Sequence, residues 1–269
     1  MTRIDELRII ARVARMYYEW NMRQSEIAKQ LDLSQATVSR LLGRSKEEGI
    51  IRISVNLPTG VYTELEETLV KKFGLRDAII VDSLEDNEKL ILRDLGAATA
   101  YYLESAIRPH EIIGISSWSS TLLALVDALS SLPRKPGVKV IQILGGIGNP
   151  AAEAHAMRLT SRIAQLVNGD AVYLPVAGIL ATEAARDILL ADEVTQQAIR
   201  LFDHVTTALV GIGAIDPSPL LAQSGNIFSP QELDLLRQAN AVGDILLRFF
   251  DQNGSLVETG LEKRVISMS

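Results

Sequence analysis

The 269-residue chain contains no cysteine, which removes disulfides, thiolate nucleophiles and cysteine-held zinc or iron–sulfur centres in one step. It has only 3 histidines, and His110, His155 and His204 lie far apart with no partner at HxxxH or HxxE spacing. Each reads as a surface or helix-face residue, so neither a metal site nor any other cofactor is expected. No uncharged run of about 18 apolar residues occurs, which excludes an ordinary spanning helix. The opening MTRIDELRII lacks the basic start and continuous apolar stretch of a secretory signal, so a cytoplasmic protein without membrane association is expected. GxxxxGK[ST] phosphate loops, GxSxG nucleophile elbows, internal repeats and low-complexity tracts are all missing.

What is present is ordinary globular material, 47% hydrophobic and 22% charged, at a length suited to one small module plus one larger domain. Charge is unevenly placed. Residues 1–55 carry ten Lys/Arg against seven Asp/Glu, a net of +3, which leaves 17 basic and 26 acidic residues, a net of −9, for the rest. A basic head on an acidic body suits a polyanionic partner at the head and opposes non-specific coating of nucleic acid by the body.

The head reads as three helices. Over 5–20 the apolar Ile9, Val13, Met16, Tyr17 and Trp20 recur at helical spacing. Ser25 is the expected cap of a short helix over 26–31 that buries Ile27, Ala28 and Leu31. A tight turn at Asp32-Leu33 leads to Ser34, the cap of a third helix over 35–48 with Val38, Leu41 and Leu42 inward. A short helix, a tight turn and a longer helix, with small Ala28, apolar Leu33 and apolar Val38 in place, match the helix-turn-helix template. Asp32 stands where glycine is usual, and Asp tolerates positive φ better than most residues. The candidate DNA contacts are Ser34, Gln35, Thr37, Ser39, Arg40 and Arg44, side chains able to bond base edges and phosphates. A plain three-helix packing or dimerisation subdomain is the alternative. Residues 50–55 (IIRISV) read as a closing strand or wing, and 56–60 as linker; a helix over 62–73 follows, as spacer, dimer arm or an element packed on the body through Leu65, Leu69 and Phe73.

From Asp77 onward short apolar strands at 78–81, 112–115, 138–144, 171–174, 208–211 and 245–249 alternate with helices at 87–106, 121–130, 152–167, 182–204 (broken) and 230–239. That pattern predicts an α/β class fold: a parallel, Rossmann-like sheet covered on both faces. The expected domains are 1–55, a linker helix within 56–76, and 77–269.

Ligands of such sheets bind beyond the carboxyl ends of strands. Ser116, Ser117, Ser119, Ser120 and Thr121 form a hydroxyl-rich turn opening a helix, able to offer hydroxyls and backbone N–H groups to an anion. Gly145, Gly146, Gly148 and Asn149 form a glycine-rich loop that Pro150 ends, and 211–216 forms another, closing on Asp216. A phosphate-and-polyol pocket and a set of tight strand–helix connections both account for these loops. GxGxxA at 146–151 is not a dinucleotide fingerprint, because it follows an interior strand and the next acid, Asp170, precedes its strand.

Tyr17-Tyr18, Gln24 to Ala28, Thr37 to Leu42, Glu48-Gly49-Ile50, Ile113 to Ser116, Gln142 to Asn149, Gly211 to Ala214 and Ala241 to Ile245 together resemble the SorC-type, sugar-responsive bacterial transcriptional regulators, also grouped with DeoR-type regulators. The resemblance implies a head that binds operator DNA, and a body similar to sugar-phosphate isomerases and deaminases that senses a sugar, polyol or sugar phosphate. It also implies a homodimer or homotetramer. A phosphate would sit against residues 116–121 and 145–148, and Asp244 would accept sugar hydroxyls.

Three departures stand out. Members often have Trp-Gly and a basic or hydroxyl residue in the first turn, where this chain has Ser117-Trp118-Ser119-Ser120. Some carry a Schiff-base lysine where this chain has Leu144, which excludes covalent capture there. Members also continue past RVISMS with a strand, a Gly-Gly…Lys segment and a helix, so an effector domain truncated at Ser269 is expected. The expected protein is not an enzyme. The rival readings are an isomerase or deaminase using Asp216, Glu183 or Asp244 as acid and base, and a head that binds protein.

Overall fold

The computed structural model describes residues 3–51, 61–83, 85–129 and 134–269. The expected wing over 50–55 and linker over 56–60 fall largely or wholly outside these residues, as does Ser130 at the end of the helix expected over 121–130. The chain divides into two compact units, Met1–Thr63 and Glu64–Ser269.

In the first unit, α1 (Arg3–Tyr18), α2 (Gln24–Gln30) and α3 (Gln35–Glu47) close around Val13, Met16, Ile27, Ala28, Val38 and Leu42. The expected cap of α2 moves: the helix begins at Gln24 with Arg23 as the capping position, because the Glu26 carboxylate reaches back to accept Arg23 N–H at 2.8 Å. At the turn Asp32 takes φ of 51°, and Leu33 N–H donates to Ala28 O at 2.8 Å, which fixes how α3 leaves α2. Ser34 caps α3 as expected, its Oγ accepting from Thr37 N–H at 3.1 Å.

The second unit contains α4 (Thr63–Phe73) beyond its first residue, then α5 (Glu88–Ala106), β1 (Ile112–Ile115), α6 (Ser120–Ala128), β2 (Lys139–Gln142), α7 (Pro150–Val167) and β3 (Asp170–Val172). After these come α8 (Glu183–Ala191), α9 (Glu193–Ile199), β4 (Thr207–Leu209), α10 (Pro219–Ser224), α11 (Pro230–Gln238), β5 (Gly243–Ile245) and β6 (Arg248–Phe250). β1 to β4 form a parallel four-stranded sheet in the order β3-β2-β1-β4. The sheet separates two cores. In β2, Val140 joins Leu122, Leu125, Leu159 and Ile163, while Ile141 joins Leu174, Val176 and Phe249 on the opposite face.

Two expected strands are corrected. Residues 78–81 form no strand and join no sheet, Ile80 N–H going instead to Glu66 Oε1 at 2.8 Å. Residues 245–249 are not one parallel strand: β5 and β6 pair antiparallel through a two-residue turn in which Leu246 and Leu247 have φ of 56° and 64°. Both central residues at positive φ make this the twist-compatible hairpin turn that Asn-Gly usually fills, so Leu-Leu gave no turn signal. α10 was not expected, since six residues opened by Ser218 and Pro219 carry too little periodicity to announce a helix. In α4, Leu65 and Phe73 stay exposed rather than packing on the body.

Candidate functional site

Beyond β1 the chain runs directly into α6, and beyond β4 it runs into the loop before α10. Strands β1, β2 and β3 progress one way across the sheet while β4 lies on the other side of β1, so the order reverses between β1 and β4. Chains leaving neighbouring strands in opposite directions open a crevice at such a point. A cavity of about 310 Å³ lies there, lined by 116 and 118–121 after β1, 211–214 and 216–219 after β4, and Asp244, Leu246 and Leu247 of the hairpin.

The turn after β1 is pinned. Ser116 N–H donates to Leu209 O at 3.0 Å, Ser117 Oγ to Leu144 O at 2.7 Å, and Trp118 Nε1 to Gly145 O at 2.9 Å. Ser119 then caps α6, its Oγ accepting from Leu122 N–H at 3.2 Å. Ser116, Ser119, Ser120 and Thr121 line the cavity with Asp244, as the sequence reading grouped them. Ser117 does not; it is wholly buried and its hydroxyl is spent on the backbone of the neighbouring strand exit.

Gly145, Gly146, Gly148 and Asn149 also lie away from this cavity. They follow β2, one strand removed from the reversal, and serve packing: a Cβ on Gly145 would sit 2.4 Å from the carbonyl carbon of Ala177. Asn149 Nδ2 donates to Gln223 O at 2.7 Å. Of the carboxylates considered for acid–base work, Asp216 and Asp244 line the cavity and Glu183 does not; Asp216 is bound to the Arg237 guanidinium.

Asp244 is held closely. Its backbone exchanges two hydrogen bonds with Gly213, at 2.9 and 3.0 Å, and its Oδ2 accepts from Leu247 N–H at 2.9 Å. Gly213 leaves room for this approach, for a Cβ there would stand 2.2 Å from Asp244 Oδ1 and push the carboxylate aside. Burial pushes the Asp244 carboxyl above its ordinary range, the Leu247 N–H opposing this in part. The lining residues missed by the sequence reading include four from distant elements, beside Pro217, Ser218, Pro219 and Leu221 next to the 211–216 loop. Glu88 and Leu92 arrive from α5, and Leu246 and Leu247 from the unrecognised turn. None carries a local motif; only the packing of α5 and the hairpin brings them to the crevice.

In the first unit, Ser34, Gln35, Ser39 and Arg40 are exposed on and before α3, and Thr37 is half-buried. Arg40 Nη2 donates to Thr37 Oγ1 at 3.5 Å, and Thr37 Oγ1 lies 2.8 Å from Ser34 Oγ. Arg44 differs from these. Its guanidinium is paired with Glu6 of α1 and lies 3.6 Å from Glu48, and the Glu6 carboxyl is lowered first by the hydrogen bond from Arg44.

Residues 59–269 match the family described as "Putative sugar-binding domain". The Sorbitol operon regulator of Klebsiella pneumoniae is 30% identical over 272 residues, an alignment spanning 100% of this chain and 85% of that protein. The chain belongs to the SorC-type family of sugar-binding bacterial transcriptional regulators. The Deoxyribonucleoside regulator of Bacillus subtilis (strain 168) is likewise 30% identical over 255 residues, covering 95% of this chain and 80% of that protein. The crystal structure of the full-length Sorbitol Operon Regulator SorC from Klebsiella pneumoniae superposes with a TM-score of 0.69 at 30% identity, covering 98% of this chain and 84% of that one. These similar proteins are named as regulators, not as enzymes.

For a SorC-type chain the polarity of the cavity is notable. Its described lining includes Glu88, Asp216 and Asp244 but no Lys, Arg or His. Leu144, which has no amine for a Schiff base, also lines the wall. No group of His, Asp or Glu suited to a metal ion occurs among the described residues, and no described helix is long and apolar enough to cross a membrane.

Proposed function

We propose that the protein is a cytoplasmic, DNA-binding transcriptional regulator of a carbohydrate or polyol catabolic operon, controlled by a sugar, polyol or sugar phosphate held in the crevice between β1 and β4. The observation that carries this reading is the hydroxyl-lined cavity at the reversal of strand order, in a chain of the sugar-binding family. Ser116, Ser119, Ser120 and Thr121 offer donors and acceptors to ligand hydroxyls, and the Asp244 carboxylate accepts from them.

In the head, α3 enters the major groove. Arg40 reads a base edge or binds phosphate, with Ser34, Gln35, Thr37 and Ser39 around it. Arg44 holds α3 against α1 and reaches a phosphate only by leaving Glu6. A homodimer or homotetramer places two recognition helices about 34–36 Å apart, one turn of DNA. Effector binding shifts the population between DNA-competent and incompetent arrangements.

The test is selection of sheared genomic DNA on the purified protein at physiological salt, followed by sequencing. Recovery of a few sites with inverted half-sites supports the reading, and the neighbouring genes nominate the effector. Loss of all enrichment with a folded, oligomeric protein opposes it.

A further inference from the structure

Resting on the reading of α3 as the helix that contacts DNA, we propose that Glu6, a residue of α1 outside the contact surface, determines operator specificity: it takes Arg44 out of the DNA contacts and uses it to fix the direction of α3. Helical spacing alone groups Arg44 with Arg40, four positions earlier. The structure separates them. Gln35, Ser39, Arg40 and Gly43 are exposed, whereas Thr37, Leu41 and Arg44 form a half-buried flank beside the buried Val38, Leu42 and Ser45. On α1, Glu6 stands four and seven positions before Ile10 and Val13, both fully buried, so it continues the core-facing stripe toward the helix start.

One terminal nitrogen of Arg44 is bound to the Glu6 carboxylate, 38 positions away, and the other lies 3.6 Å from Glu48. Both terminal nitrogens therefore face carboxylates, and the Arg44 and Glu6 side chains are 34% and 43% exposed. Glu6 lies in the first turn of α1 and Arg44 in the last turn of α3, the helix ends that favour a carboxylate and a guanidinium respectively. An ion pair this open adds little stability. What it supplies is a second anchor. The start of α3 is fixed by Leu33 N–H donating to Ala28 O at 2.8 Å, and the Arg44 pair holds its last turn against α1. Apolar packing of Val38 and Leu42 keeps α3 in place without directional preference, and the charge-assisted hydrogen bond adds the direction.

Direction matters to one kind of DNA binding and not to the other. Bonds to base edges need side chains within hydrogen-bond reach of particular atoms, so a small tilt of α3 loses them. Attraction to the phosphate backbone depends on charge and tolerates the tilt. Glu6 thus acts on the ratio of operator to non-specific affinity rather than on DNA affinity as a whole.

The experiment is a fluorescence-anisotropy titration of the full chain with the operator duplex recovered by the genomic selection and with a scrambled duplex of equal length, over a series of salt concentrations. The unaltered chain is compared with Glu6→Gln, Arg44→Gln, Arg44→Glu and the exchange of Glu6→Arg with Arg44→Glu, each checked for folding by circular dichroism. Glu6→Gln is expected to weaken operator binding about tenfold while scrambled-duplex binding is unchanged or tighter. Arg44→Gln is expected to weaken operator binding with the salt slope unmoved, because no phosphate contact is lost. The exchange sets a guanidinium between two carboxylates again and is expected to recover severalfold of the affinity lost in Arg44→Glu.

A salt slope reduced by about 0.9 in Arg44→Gln makes Arg44 a phosphate contact and overturns the proposal. Operator binding by Glu6→Gln as tight as that of the unaltered chain, or an exchange no better than Arg44→Glu, overturns it equally; all three leave the DNA-binding reading standing. Should Arg44→Glu not fold, Glu6→Gln and the slope of Arg44→Gln decide. If the selection recovers no operator with a folded, oligomeric chain, the DNA-binding reading itself falls and takes this one with it.

Discussion

The head and the crevice are built in opposite ways. In the head, every residue assigned to DNA contact lies within the 11 positions from Ser34 to Arg44, on or capping one helix, and its display follows from helical spacing alone. In the crevice, most of the lining comes from the exits of β1 and β4, the start of α5 and the β5–β6 hairpin, segments up to 159 positions apart between Glu88 and Leu247. A surface carried by one element survives in that element; a pocket assembled from four exists only when the sheet is formed.

Core truncations test this most strongly. Ile141→Ala and Ile27→Ala, each removing a fully buried side chain, are expected to cost about 2–5 kcal/mol in their own units. Denaturant melts followed by binding assays check the consequence. Ile141→Ala should abolish ligand binding in the crevice, while Ile27→Ala should remove operator binding and leave ligand affinity in place. Loss of ligand affinity on Ile27→Ala would break the contrast.

Arg40→Ala should weaken operator binding by roughly 1–3 kcal/mol in a titration at fixed salt if it reads a guanine. Its only described side-chain bond is to Thr37, so stability should hardly change. Unchanged operator affinity would take Arg40 out of the interface.

Asp244→Asn sharpens the comparison from the other side. Because burial raises the folded-state pKa of Asp244, the folded protein binds its proton more readily than the unfolded chain does. Stability therefore falls as pH rises from the ordinary carboxylate range through the raised value, and the ionised group is a net cost at neutral pH. Asn keeps an acceptor for Leu247 N–H. The variant should gain about 1 kcal/mol near pH 7, flatten the pH dependence and lose ligand affinity. A variant less stable at pH 7 would show that the charge is needed for the hairpin.

The smallest effect is expected at the α11 cap. Burial pushes the Glu232 carboxyl up, but Ser229 N–H at 2.8 Å, the Ser229 hydroxyl and Arg264 together hold it below its ordinary range. Its contribution is present above the ordinary carboxylate range and is lost as pH falls through the lowered value. Glu232→Gln should therefore cost under about 1 kcal/mol at pH 7, and the difference should vanish in acid melts.

Much of this molecule could be read before folding was considered. The helix-turn-helix spacing, the Ser34 cap and the α/β alternation are all local patterns, set by side-chain periodicity and backbone capping within a dozen residues. The crevice was legible in the turn after β1, in the glycine-rich exit of β4 over 211–216 and in Asp244. The glycine loop after β2 looked equally suited to a ligand, because a glycine needed for close packing against Ala177 and one needed for a ligand leave the same letter in the sequence.

The sequence by itself determined the elements and the unequal charge of the two ends, since these depend on composition and short-range spacing. Only the tertiary structure decided which strand exits face one another. That choice rests on β4 pairing with β1 rather than extending the other edge beside β3, and it brings Glu88, Leu246 and Leu247 to a crevice their local sequences never announced. Strand order is a property of long-range pairing and shared core burial, which no window of sequence contains.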